Sequence, residues 1–164
     1  MKWHFSDSVS LELLSFAEAS KACLALPGFP LFRRSLQPGH IEYCRAELLS
    51  GCLLGSLAIP DKAHPLRNAI SLAFYLDSTQ LILAADAEEL PALQKRLFPE
   101  EPFDTSDVFH LFFSFLESLI QEDMIYLQNF EKRLATIEES LLDTLQKELE
   151  RTLIAIRREL LVFH

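Results

Sequence analysis

The sequence predicts an α+β fold, an α/β layer in the broad sense: a small mixed β-sheet flanked by helices, followed by a long C-terminal antiparallel helical hairpin. Three observations predict it. Between Ile41 and Ala85, stretches rich in Ile, Leu, Ala and Phe alternate with clusters of turn residues, as strands do. Helix-like stretches precede and follow them, so helices cover a small sheet. From Val108 onward apolar residues recur in steps of three and four, and no Pro or Gly interrupts the chain between Asp104 and the C-terminus. The chain therefore divides into a sheet layer, 1–99, and a helical hairpin, 100–164.

The elements follow in order. Lys2 to Phe5 reads as a short strand. Residues 16–26 (FAEASKACLAL) suit a helix, stopped by Pro27-Gly28 and Pro30. After the turn Gln37-Pro38-Gly39, Ile41 to Glu47 alternates like a strand, and Leu48 to Ile59 continues as extended chain with Gly51 as a bulge or bend. A polar loop spans 61–68. Ala69–Leu76, the turn Asp77-Ser78-Thr79 and Gln80–Ala85 form a hairpin. A helix starting between Asp86 and Leu90 runs to about Phe98, with Leu90, Leu93 and Leu97 on its apolar side; Pro91 fits only its first turn, which favours the later start. Pro99 to Ser106 is the linker, where Asp104, Thr105 or Ser106 caps the long helix. That helix carries Val108, Phe112, Phe115, Leu119, then a seam of Leu127, Phe130, Leu134, Ile137 and Leu141. Leu142 to Leu145 interrupts the seam, Asp143 and Gln146 resemble a capping box, and Leu149 to Phe163 resumes it.

At 164 residues the chain holds one core, or a small core with a helical extension. Its 49% hydrophobic content excludes a disordered chain. A mean hydropathy of +0.14 predicts an apolar face that meets a partner or the rest of a larger polypeptide. The net charge of −9 argues against nucleic acid, because Arg33-Arg34 and Arg157-Arg158 are too short to make a basic patch; an acidic surface attracts cations. Three cysteines without CxxC spacing predict free thiols and a reducing compartment. The N-terminus lacks the apolar core of a signal peptide, and the longest apolar run, Leu48 to Ile59, is too short and too interrupted to span a bilayer.

The stretches LLSGCLLGSLAIPDK (48–62) and NAISLAFYLDSTQLILAADAEELPALQKRL (68–97), then FFSFLESLIQEDMIYLQNFEKRLATIEESLL (112–142) and LERTLIAIRRELLVFH (149–164), resemble in their order the cytoplasmic domain of CorA-like magnesium transporters. The resemblance covers about residues 40–164. It implies a regulatory, ion-sensing domain rather than an enzyme, in a homo-oligomer that is a pentamer in the full-length family. It implies a place on the cytoplasmic face of the cell membrane, reached through two C-terminal membrane helices with a Gly-Met-Asn signature, expected beyond His164. It also implies regulatory Mg²⁺ held between subunits, for which Asp61 is this chain's best-matching ligand, its partner lying beyond His164. A single carboxylate with water suits Mg²⁺, although an Asp after Pro60 also simply starts a turn.

Other groupings are weaker. Glu117, Glu122, Asp123, Glu138, Glu139 and Asp143 suit a cation-attracting surface or a solvated helix face. His40, Cys44, Cys52 and His64 match no zinc spacing. No nucleophile motif, metalloprotease motif or phosphate loop occurs. Phe112 and Phe115 suit a core against the sheet; Phe109 or Phe113, on adjacent faces, could meet a neighbouring subunit. Two alternatives stand beside the transporter reading: a stand-alone coiled-coil interaction module without a metal role, and the equivalent domain of a zinc-transporting relative. A small enzyme ranks last.

Overall fold

The computed structural model describes residues 1–6, 9–37, 41, 44–59, 70–97, 106–121, 123–141 and 151–158. One compact unit takes in the described residues up to Ile59 and those from Ile70 to Leu119; a second takes in those from Ile120 on. The first is built on one six-stranded sheet. Its strands are β1 (Lys2–Ser6), β2 (Val9–Ser15), β3 (Arg45–Leu49), β4 (Cys52–Ile59), β5 (Ile70–Asp77) and β6 (Gln80–Ala85), in the spatial order β1-β2-β6-β5-β4-β3. Only β2 and β6 are parallel, so the sheet is mixed and the class is α+β.

The central strands β5 and β6 are buried on both faces, which is why they read as unbroken apolar runs rather than alternating ones. One face carries Val9, Leu11, Leu13, Leu72, Phe74, Leu76, Leu81 and Leu83. It is covered by α3 (Leu90–Leu97) through Leu93 and Leu97, and by α4 (Val108–Ile120) through Val108, Leu111, Phe112, Phe115 and Leu119. The other face carries Cys52, Leu54, Ala73, Tyr75, Ile82 and Ala84 under α1 (Phe16–Ala22) and α2 (Phe29–Ser35). Helices on both sides of a sheet give each apolar face a partner, as a stable layer requires.

Several elements differ from the sequence reading. Val9–Ser15 forms strand β2, whose Val9, Leu11 and Leu13 alternate toward the core. The first helix ends at Ala22 rather than Leu26; its start is set by a capping box in which the Ser15 hydroxyl accepts the Glu18 N–H at 3.3 Å and the Glu18 carboxylate accepts the Ser15 N–H at 2.8 Å. Pro30 does not stop a helix but lies in the first turn of α2, where its missing N–H costs nothing. Residues 45–59 are a hairpin rather than one extended strand. Leu49 pairs with Cys52 across the two-residue loop Ser50-Gly51, and Gly51 takes the φ of +87° that closes it. The β5–β6 hairpin forms as predicted, its turn tied by Asp77 Oδ1, which accepts the Thr79 N–H at 2.8 Å and the Gln80 N–H at 3.0 Å. Helix α4 is capped by Asp107, one residue past the predicted set; its carboxylate accepts the His110 N–H at 2.8 Å.

The long hairpin is the main correction. The helix expected from Val108 to Leu141 is two helices, α4 and α5 (Asp123–Leu141), of 13 and 19 residues. Residues 151–158 are helical too, and the predicted reversal at 142–145 lies outside the described residues. Periodicity is blind to the break: Leu119 and Tyr126 are seven residues apart, two helical turns, so the apolar stripe runs straight across it. The exposed Leu127 is not part of the seam; Tyr126, Phe130, Leu134 and Ile137 are turned away from water instead. Tyr126 stacks on Phe130 at 6.4 Å, and the Arg133 guanidinium lies 5.7 Å from the Phe130 ring centre.

Candidate functional site

The first unit carries an apolar groove of about 400 Å³ between α4 and the β3–β4 hairpin. Its floor is Leu53 and Leu57 of β4 with Phe74 and Leu76 of β5; Cys44, Arg45 and Ala46 form one rim, and Phe109, Phe112, Phe113 and Leu116 of α4 the other. The groove exists because, among the described residues, α4 covers the middle of the sheet and leaves this end open, and because Cys44 and Ala46 are too small to fill the gap. The Phe74 and Phe112 rings meet at 4.9 Å inside it. Phe112 and Phe115 are buried, as their place on the apolar stripe predicts, whereas Phe109 is 51% and Phe113 65% exposed. The two phenylalanines off the stripe were the one legible signal of this surface.

Gly55 sets the groove's width. A Cβ there would lie 1.9 Å from the Arg45 carbonyl oxygen and 2.9 Å from Phe74 Cζ, so only glycine lets β3 approach β4 this closely. Gly51 and Gly55 thus serve a turn and a close strand contact, not a helix-dimer face.

The groove's lining offers apolar contact with a thiol at the rim. None of the groups whose ionisation is clearly shifted lines it. Burial pushes the Cys23 thiol up to about 11 and, with Cys52 and Asp77 nearby, raises the Tyr75 hydroxyl; both lie under α1 and α2. Asp77 is held below the usual carboxylate range, since the Gln80 and Thr79 hydrogen bonds outweigh burial, which acts the other way. The His110 backbone N–H lowers Asp107 in the same manner.

Asp61 lies outside the described residues, as do His40, His64, Glu122 and Asp143. Glu117 is exposed on α4, and Asp123 is the first residue of α5. Among the described residues no three His, Cys, Asp or Glu side chains come together to hold a metal ion. The imagined zinc set does not assemble around its cysteines. The Cys44 thiol lies 4.0 Å from the Ala58 carbonyl and the Cys52 thiol 3.8 Å from that of Pro27. Ala58 is six residues along β4 from Cys52, roughly 20 Å at the rise of a strand, and the two thiols sit on opposite faces of the sheet.

No family model matches the sequence, and no curated protein matches it significantly. Among solved structures the fold is similar to that of the full-length CmaX protein, with a TM-score of 0.64 at 15% identity over 96% of this chain. The match covers 53% of the CmaX chain, so this chain spans about half the length of the protein it resembles. At that identity the likeness is one of fold. No helix among the described residues is long and apolar enough to cross a membrane.

Proposed function

We propose that this chain is the cytoplasmic regulatory domain of a CorA-like divalent-cation transporter. What supports the reading is that nearly the whole chain takes up the fold of about half of a longer protein, together with the resemblance of its sequence stretches to the CorA-like cytoplasmic domain. In this reading α5 and the helical residues 151–158 pack antiparallel, burying Phe130 and Ile156, and lead toward membrane helices that supply the pore. The unit that works is a homo-oligomer at the inner face of the membrane, pentameric as in the full-length family.

Asp61 contributes one oxygen ligand to a site shared with the neighbouring subunit. Facing carboxylates repel; their neutralisation when Mg²⁺ is bound favours the closed arrangement, and its release lets them part. Co²⁺, Ni²⁺ or Zn²⁺ as the transported ion fits equally, because selection resides in the pore. The domain itself performs no catalysis in this account. A second reading has its own support: Met124, Ile125 and Leu127 leave an apolar face of α5 exposed, which suits a helical interaction module without a metal.

Reading the coding sequence past His164 tests the choice. Two apolar segments of about twenty residues, with Gly-Met-Asn closing the first, are expected; a stop codon directly after His164 would overturn the transporter reading in favour of the interaction module. With the pore present, Asp61→Asn should weaken the protection of the full-length protein from proteolysis by Mg²⁺.

A further inference from the structure

Among the described residues strand β3 ends the sheet: it is bonded to β4 on one side, and its five residues turn the other row of backbone donors and acceptors outward. Its side chains divide by face. Cys44, Ala46 and Leu48 lie on the groove side, Arg45 and Glu47 on the other, where they form an ion pair. Leu48 is 82% exposed, an isolated large apolar side chain at the mouth of an apolar groove.

We propose that a second copy of this chain docks on this edge, β3 pairing antiparallel with the partner's β3 about a two-fold axis at Ala46. Such an axis, perpendicular to the sheet, keeps both grooves on the same side, so residues opposite one another share a face. Charge selects the register. Centred on Glu47, the axis would set Glu47 against itself; centred on Arg45, Arg45 against itself. Centred on Ala46 it sets Arg45 opposite the partner's Glu47, twice over, with Ala46 against Ala46 and Leu48 opposite the partner's Cys44. Each Leu48 then leaves water for the rim of the other copy's groove, beside the small side chains that leave it open. The two sheets become one of twelve strands, and because a two-fold contact closes on two copies it joins subunits of different pentamers rather than neighbours within one.

Sedimentation velocity on the full chain over about 1 to 200 μM reads the association. A reversible dimer is expected, weakened at least about tenfold by Arg45→Glu or by Glu47→Arg, each of which sets like charges opposite, and restored by the double exchange. These residues lie at the exposed edge, and circular dichroism of each variant checks that the fold is kept. Ala46→Cys in a Cys44→Ser background should cross-link through a short bismaleimide, since the two copies of position 46 meet at the axis. A monomer throughout this range would overturn the proposal. So would a dimer unchanged by the single reversals, or one lost on Met124→Ser with Leu127→Ser instead, which would place the contact on α5.

Discussion

Replacing Gly55 by Ala adds one methyl group at the tightest point of the β3–β4 hairpin. The new Cβ would sit 1.9 Å from the Arg45 carbonyl oxygen and 2.9 Å from its carbon, against the 3.4 Å at which ordinary contact begins. The strand must therefore retreat by about 1.5 Å, and the obstacle is backbone, so no side-chain rotation relieves it. Phe74 blocks retreat the other way, because its ring lies 2.9 Å from the new atom and is buried. A shift of that size pulls the N–H···O distances around the Ala46–Gly55 pair beyond bonding range. Overpacking costs about 1–3 kcal/mol and each lost ladder bond about 0.5–1.5, so a loss of about 3 kcal/mol is expected. Urea unfolding followed by circular dichroism measures it. Gly51→Ala is the control: its Cβ meets nothing within 4 Å, and only the φ of +87° opposes it, at about 1 kcal/mol. If Gly55→Ala costs less than about 0.5 kcal/mol, or no more than Gly51→Ala, the close approach of β3 is not what requires glycine there.

Two further outcomes follow from burial. Phe115→Ala should cost about 3–5 kcal/mol, because the ring is fully buried among the residues of α4 and the sheet, whereas Phe113→Ala, at 65% exposure, should change stability by less than about 0.5 kcal/mol; equal losses in thermal melts would refute the assignment of α4's faces. The Cys23 thiol is 2% exposed and its pKa in the fold is raised from 9.0 to about 11, so the folded state favours the protonated form. Stability should be level below pH 9, fall by about 1–2 kcal/mol between pH 9 and 11, and level off above. Cys23→Ala should flatten that alkaline limb of the unfolding curve, at the expense of a small cavity; an unchanged limb would show that another group carries it.

The hairpin β5–β6 was legible in sequence because every local signal agreed: apolar runs, an Asp-Ser-Thr turn and no glycine or proline within the strands. The same is true of α3, whose Pro91 allows only the later start that the structure has, and of the buried faces of Phe112 and Phe115. Strand β2 lies in a stretch left unassigned between the strand at Lys2–Phe5 and the helix at 16–26; the alternation of Val9, Leu11 and Leu13 with Ser10 and Glu12 ends at Leu13-Leu14 and is short. Helix α2 was missed because a proline reads as a stop unless its position within the turn is known.

What the sequence determined by itself was composition, charge, the alternation of apolar runs and the phase of each helix's apolar stripe, because these depend on residues close in the chain. It also decided that Phe109 and Phe113 fall off the stripe. Only the tertiary structure decided that β2 runs parallel to β6, that α4 ends where the stripe continues, and that β3 is an edge. It alone brought Cys44 and Ala46 opposite Phe109 and Phe113 to open the groove. Those outcomes depend on which surfaces meet across more than fifty residues of chain, and two helical turns of unbroken periodicity, or one glycine in a strand, look the same in sequence whichever way the chain then packs.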